Sequence, residues 1–586
     1  MNNTYKILIG WILMIFLFGS CSDEFLEENP KGSVSGETLA TESGVRELLI
    51  GAYSLLDGFE LFINNMGAAT TPSNWMFGDV PSDDMHRGDN PGGWGEISII
   101  ERFETNSTNS FVGQVWELGY DGVSRANDVL RILELAREKN AISEVAAMQI
   151  EAEARWLRAW YHFQMRLKFE KIPYIKHDID DPTQIKNNRE VWDDMEADIQ
   201  WGIDNNMDEY PVEPGRISYF AAETLLARIH LMQLEYLEAK PLLQDVIDRG
   251  GYSLTSHFYD NFDEERQNNE ESIFEIQYSV NDASTYWNST VGSGLMAPNG
   301  IGLCCSYSAP SFDLFNAFKV DADGLPLLDT YQDNFLIEDY GLLSTDPFVP
   351  TGHLLDPRVD WTIGRRGITY LDWGAFTGSD MMNNQLEMGP FLNKKIIFYK
   401  RNNGNINTTN LWEPANANNW RMFRLGHVIL WRAEVAVEEN DLETARQLVN
   451  QIRTRAADDI VMGRVSTPDD TFGGSEDDII IDTTQAAANY DLQPYPVFPN
   501  QDYARKAVRH EMRLEFALEG IRFFDLVRWG EAARVINDYL ELELANNKLP
   551  WLQGTRFVEG KNEYNPIPQL QLDLQKGILE QDPDHQ

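Results

Sequence analysis

The chain reads as a mainly α protein in which tetratricopeptide-like helix pairs form a curved scaffold that supports a loop-rich region with a few short strands. Three observations carry that expectation. Apolar residues recur at helical spacing from Gln114 onward; small residues recur twelve apart in two separate helix-turn-helix segments; and between those segments runs a long stretch rich in Gly, Asn, Asp and Pro.

From Gln114, the residues Trp116, Tyr120, Val123 and Leu130 fall on one helical stripe. Asn127 lies on the same stripe and must be a hydrogen-bonded buried amide. A second helix is expected near Glu144 to Lys168, with Ile150, Ala154, Leu157 and Tyr161 on one face, Arg155 and Arg158 beside it, and Pro173 ending the pattern. Gly215 to Leu254 reads as a helix-turn-helix with Ala227 and Ala239 flanking the turn, and Leu425 to Ala456 repeats it with Ala433 and Ala445. Small residues there let antiparallel helices approach closely, as in tetratricopeptide-like units. Two clear copies are fewer than a free-standing array needs, so the helices near 116 and 150 should supply further, degenerate units. From about His257 to Trp420 the chain reads as irregular structure with small strands such as Ser272 to Tyr278. Asp458 to Asn500, acidic and glycine-rich, reads as an inserted loop.

The apolar run Ile7 to Phe18, behind Lys6, is shorter than the ~20 residues that span a bilayer, and reads as part of a signal peptide over residues 1–20. Cys21 and the acidic stretch Ser22 to Glu28 follow at once, similar to a bacterial lipoprotein start, although Phe18 stands where such leaders usually carry a smaller aliphatic residue. Acylation of Cys21 would add ~0.8 kcal/mol of membrane affinity per buried methylene. The alternative is an ordinary secreted protein with an incidental Cys21. Residues 21–255 are expected to form an N-terminal helical region and 256–586 a C-terminal region, interleaved in one compact body.

Lys and Arg number 48 against 93 Asp and Glu, and the net charge of -45 repels nucleic acid, so no nucleic-acid partner is expected. Cys304 and Cys305 are adjacent and supply neither a disulfide framework nor a zinc site; they form a vicinal disulfide or remain two thiols packed in a loop. Many of the 16 tryptophans sit in segments rich in Gly, Asn and Asp. A large ring in a polar loop suits carbohydrate, because a sugar's C–H face packs on the ring while neighbouring amides and carboxylates bond its hydroxyls.

Catalytic signatures are missing. No carboxylate pair sits in a recognisable glycosidase motif, and His510-Glu511 begins like a metalloprotease motif but Leu514 takes the place of the second His. Asp321-Ala322-Asp323-Gly324 has only the first half of a calcium loop and reads as a turn. Neither an enzyme, a metal site nor a cofactor is expected.

In "RHEMRLEFALEGIRFFDLVRWGEA", Arg509 to Ala532, the residues Val508, Met512 and Phe516 form an apolar stripe. Glu511, Glu515 and Glu519 are like charges four apart that repel unless Arg509, Arg513 or Arg522 pairs with them. Gly520 fits a left-handed helix cap, after which Phe523, Leu526 and Val527 open the next helix with Asp525. Structural roles are assigned to Asn127, Glu511, Arg513, Glu515, Gly520, Arg522 and Asp525.

This block strongly resembles the C-terminal signature of the SusD/RagB outer-membrane lipoproteins of Bacteroidetes. "WELGYDGVSRANDVL" from Trp116, "EAEARWLRAWYHFQMRLKFEKIPYI" from Glu151, the helix pair from Gly215, "DPRVDWTI" from Asp356 and "NEYNPIPQ" from Asn562 also resemble family segments, in family order. The resemblance implies a SusD-like fold and a glycan-binding lipoprotein, anchored in the outer membrane and facing outward, that acts as a lid on a SusC-like TonB-dependent transporter. Leu425-Gly426-His427 departs from the family's usual aromatic and acidic turn. By region, the resemblance places the ligand on Trp75, Trp94, Tyr286, Trp287 and Tyr307, with Asp83, Asp84, Arg87 and Asn288 as polar partners. A vicinal disulfide at Cys304 and Cys305 would add a flat wall. Peptide or another nutrient is the alternative cargo, and a glycoside hydrolase a more distant alternative.

Overall fold

The computed structural model describes residues 35–59, 67–89, 93–205, 207–211, 213–282, 288–289, 295–299, 303, 305–407, 416–466, 479–547 and 549–585; Cys21, Tyr286, Trp287 and Cys304 lie outside the described residues. Its principal helices are α1 (Glu42–Tyr53), α2 (Ser110–Glu138), α3 (Glu144–Arg166), α4 (Trp192–Asp204), α5 (Tyr219–Met232) and α6 (Tyr236–Arg249), then α7 (Leu425–Glu438), α8 (Leu442–Ala457), α9 (Gln501–Phe516), α10 (Arg522–Arg528) and α11 (Ala532–Asn547). Among the described residues, no helix is long and apolar enough to cross a membrane.

Helix pairs are the building unit. α2 packs on α3, α3 on α4, α5 on α6 and α7 on α8, while α6 and α9 both pack on α7. Each short helix-to-helix turn in α2–α3, α5–α6 and α7–α8 contains one residue at positive φ, respectively Asn140, Leu234 and Asn440. Asn109, Ser143, Ser218, Asp441 and Asn500 cap the helices that follow them by accepting backbone N–H bonds. Ala227, Ala239, Ala433 and Ala445 are fully buried, as close packing beside the turns requires. Asn127 is buried and satisfied: its Nδ2 donates to the Ile175 carbonyl at 3.0 Å and its Oδ1 accepts from Arg158 at 2.9 Å.

Among the described residues the strands are short and antiparallel, in four two-stranded sheets: β1 (Met85–Gly88) with β3 (Tyr307–Pro310), β2 (Ser272–Ile276) with β6 (Trp420–Arg424), β4 (Ile363–Gly364) with β5 (Leu392–Asn393), and β7 (Met462–Ser466) with β8 (Ile480–Ala486). The β7–β8 pair corrects the reading of Asp458 to Asn500 as a plain loop. Ile480, Ile481, Thr483 and Thr484 are β-branched and favour the extended chain there.

Charge, as well as apolar surface, fills the centre. Arg358 bonds Asp356, Glu511 and Glu515; Arg424 bonds Glu271, Glu515 and Glu519; Arg453 bonds Glu511; Arg455 bonds Glu271 and Glu515; and Lys395 bonds Glu519. The five cations face five carboxylates, so the buried lattice is neutral. The glutamates were expected to pair with Arg509, Arg513 or Arg522, and they do not. Glu511 and Glu515 share one face of α9, whereas Arg509 and Arg513, each two residues away, project from the opposite side. Arg509 pairs with Glu531 instead. His427, part of the departure from the family pattern, joins the lattice: its Nδ1 accepts from the Arg424 backbone N–H, so its Nε2 carries the proton toward Glu519 at 3.2 Å.

Gly520 is not a cap of α9, which stops at Phe516. Its φ of +73° serves a close backbone crossing, where a Cβ would stand 1.9 Å from the Ser73 carbonyl oxygen. Its own carbonyl oxygen would in turn be 2.0 Å from a Cβ on Gly78.

Candidate functional site

Two of the segments that the family resemblance marked, those carrying Arg87 and Tyr307, meet at the β1–β3 pair. β1 lies in register with β3, His86 opposite Ala309 and Gly88 opposite Tyr307. Beneath them, Arg513 reaches from α9 to Asp83 (3.0 Å), Asp84 (2.7 Å) and Asp313 (2.8 Å), and Arg522 clasps Asp83 with two bonds of 2.8 Å. Burial opposes the charge of these carboxylates. At Asp83 the Arg513 and Arg522 guanidiniums prevail and hold the carboxyl well below its usual range; at Asp84 and Asp313 burial wins and the pKa rises.

Several of the residues that the sequence nominated for the site are therefore structural. Asp83 and Asp84 are wholly buried in ion pairs, which corrects their reading as ligand partners. Arg87 is buried and donates to the Gly93 carbonyl. Trp75 is 1% exposed, with Nε1 bonded to the Ala68 carbonyl at 3.1 Å, so it presents no face to a ligand. Tyr307 is also buried, between rings: Trp94 stacks on it at 5.4 Å and Trp75 meets it edge-on at 6.1 Å. Asp525, on α10, pairs with Arg228 and Arg528.

Trp94 and Asn288 remain accessible, half-buried and exposed respectively. Trp94 caps the aromatic stack from outside, packed also on Phe111 at 5.9 Å. The backbone around it is unusual. Gly88, Asp89, Trp94, Ser306 and Ser308 all have positive φ, and four of these carry side chains. Each such side-chain-bearing residue costs on the order of 1 kcal/mol, and strain of this kind gathers at ligand-binding surfaces. Asn383, on a distant loop, ties the two segments together by donating to Asp89 Oδ1 (2.5 Å) and the Cys305 carbonyl (2.8 Å). Cys305 is disulfide-bonded, which removes the reading of a free thiol at that position. Asp89 sits in the glycine-rich "RGDNPGGWG" loop and could have been suspected; nothing in the sequence pointed to Asn383.

Among the described residues, Glu196, His230 and Glu235 bring potential metal-ligand atoms within 4.8 Å of one another. Hydrogen bonds already account for the grouping: His230 Nδ1 is 2.8 Å from Glu235, and Gln233 donates to Glu196 at 2.6 Å.

A helical scaffold crossed by buried ion pairs thus carries an aromatic loop face on strained backbone. Comparison with known proteins gives the family. A profile described as SusD family matches residues 270–585, and one described as starch-binding associating with outer membrane matches residues 24–231. The chain belongs to the SusD family. It is similar to SusD-like protein P25 of Formosa agariphila, 23% identical over 98% of each chain. Among solved structures it is similar to a SusD-superfamily protein of Bacteroides vulgatus (19% identity, TM-score 0.67, 93% of this chain and 99% of that one). It is also similar to a laminarin-binding SusD-like protein (20%, TM-score 0.65, 93% and 99%). A third is surface glycan-binding protein A of Bacteroides thetaiotaomicron, in complex with laminarihexaose (20%, TM-score 0.62, 92% and 99%).

Proposed function

We propose that this protein is a non-catalytic, cell-surface glycan-binding lipoprotein of the outer membrane. It is anchored through Cys21, captures oligo- or polysaccharide, and delivers it to a SusC-like TonB-dependent transporter. The observation that carries the reading is Trp94. It is a half-buried indole on a strained loop, stacked on a buried tyrosine, within the stretch 24–231 that matches a family described as starch-binding associating with outer membrane. Such a ring offers a sugar a flat apolar face. Stacking with a few hydrogen bonds gives modest affinity, which suits a protein that must release its cargo.

The test is affinity gel electrophoresis of the mature, detergent-solubilised protein through a panel of polysaccharides, with reducing ends assayed in parallel. Retardation without new reducing ends is the expected result. New reducing ends would restore a hydrolase, and retention of peptide with no retardation by any glycan would replace the cargo. Metabolic labelling with a fatty acid should mark the wild type and not Cys21→Ala.

A further inference from the structure

The hydrogen bonds that gather Glu196, His230 and Glu235 also dispose them to receive a metal ion. The three come from two helices and the turn that follows the second. Glu196 lies on α4, His230 in the last turn of α5, and Glu235 immediately before α6. That turn is closed on His230 itself: the Glu235 backbone N–H donates to the His230 carbonyl at 2.9 Å, and Leu234 between them takes a φ of +61°. Backbone structure thus fixes the His230–Glu235 pair, and the packing of α4 on α5 brings Glu196 to it.

The spacing suits a small divalent ion. His230 Nδ1 stands 2.8 Å from Glu235 Oε2 and 3.8 Å from Glu196 Oε1, and the three ligand atoms all lie within 4.8 Å of one another. Tetrahedral zinc, with bonds of about 2.0–2.2 Å, holds its ligand atoms roughly 3.4 Å apart. The two histidine distances bracket that value, and both carboxylates are free to turn toward it, their side chains being 23% and 41% exposed. The ion would take the place of the proton between His230 Nδ1 and Glu235, which passes to Nε2 of the same ring or to water. Gln233 Nε2 donates to Glu196 Oε1 at 2.6 Å, the kind of outer bond that orients a ligating carboxylate.

Charge supports the same assignment. Among the described residues no Lys or Arg pairs with Glu196 or Glu235, and His230 is the ion-pairing partner of both. Two acids therefore converge on one imidazole with no guanidinium or ammonium to balance them, in a chain whose net charge of -45 draws cations to its surface. Ligand type narrows the class. An imidazole nitrogen with two carboxylates suits zinc and the neighbouring divalent transition metals, whereas calcium and magnesium prefer oxygen alone. We infer that Glu196, His230 and Glu235 form a binding site for a zinc-class divalent ion, which ties α4 to the α5–α6 pair and shares no residue with the Trp94 face.

The test is calorimetric titration of the mature, detergent-solubilised protein, stripped with EDTA, with zinc, calcium and magnesium chlorides. Wild type is compared with His230→Gln and with Glu235→Gln. The expected result is one zinc ion per chain, bound at least about tenfold more tightly than calcium or magnesium and weakened at least about tenfold by each variant. Zinc should also raise the thermal midpoint of wild type and leave that of Glu235→Gln unmoved. Glu235 is the most exposed of the three and its amide is nearly isosteric, so Glu235→Gln decides the matter if His230→Gln does not fold. Wild-type zinc affinity in folded Glu235→Gln overturns the site. A wild type that binds no zinc, or that binds several weak equivalents indifferent to both substitutions, overturns it as well, and a preference for calcium or magnesium overturns the assigned class.

Discussion

Arg424 Nη1 lies 2.8 Å from Glu515 Oε1 with both side chains wholly excluded from solvent, and the same carboxylate is also bonded by Arg358 and Arg455. Three cations from three segments thus converge on one residue of α9. Removing it leaves buried positive charge without its partner, a change that costs about 3–5 kcal/mol. Glu515→Ala should show that loss in urea unfolding, while glycan affinity of the folded fraction stays at the wild-type value. The same pairs hold Glu515 well below the usual carboxylate range against the opposing effect of burial. A carboxyl with a depressed folded pKa stabilises fully above its unfolded value, near ~4.3, and loses that contribution as the pH falls. Wild type should therefore lose stability steeply on acidification, and Glu515→Gln should lose it less steeply.

Gly520 and Gly554 both have positive φ, +73° and +80°, but only Gly520 is crowded: a Cβ there meets the Ser73 carbonyl oxygen, whereas nothing lies within 4 Å at Gly554. Gly554→Ala should cost only the left-handed penalty of about 1–2 kcal/mol. Gly520→Ala must also separate two backbones and should cost clearly more. Equal midpoints in parallel denaturant titrations would contradict the close crossing.

Much of the scaffold was legible in the sequence because helices announce themselves locally. Ala227 with Ala239, and Ala433 with Ala445, mark buried faces beside tight turns, and the 3.6-residue stripe through Trp116 and Leu130 does the same. The partners of Glu511 and Glu515 were not legible, since Arg358, Arg424, Arg453 and Arg455 are distant in the chain and only the fold brings them together. The candidate site was read least well. Trp75 and Asp83 stand in a loop rich in polar and small residues, a composition that suggests exposure, yet Arg513 and Arg522 draw that loop into the interior.

Trp94 and Trp75 separate binding from packing. Trp94 is half-buried with a stacked ring beneath it, so Trp94→Ala should weaken glycan binding about tenfold and move the melting temperature little. Trp75→Ala empties a site that is 1% exposed and forfeits the bond to Ala68, so it should cost about 3–5 kcal/mol of stability. Calorimetric titration and thermal unfolding of both variants check the pair; a reversed pattern would move the binding face inward.

Lys168 is buried at the end of α3, with its Nζ donating to the Gln164 carbonyl and side chain at 3.1 and 3.0 Å and facing the Phe524 ring at 5.8 Å. Burial pushes its pKa from 10.5 down to about 7. Between those values the unfolded chain holds a proton that the folded chain has lost, so this residue makes stability rise with pH across that window. Below about pH 7 the folded protein must keep a buried ammonium without a carboxylate partner among the described residues, and its penalty is then complete. Lys168→Met, similar in length and apolar, should be more stable than wild type by at least about 1 kcal/mol at or below neutral pH. That advantage should shrink steadily as the pH rises toward about 10. Urea unfolding of both proteins across this range measures the difference directly, with other titrating groups largely cancelling. A constant advantage at every pH would mean that Lys168 keeps its ordinary pKa and reaches water.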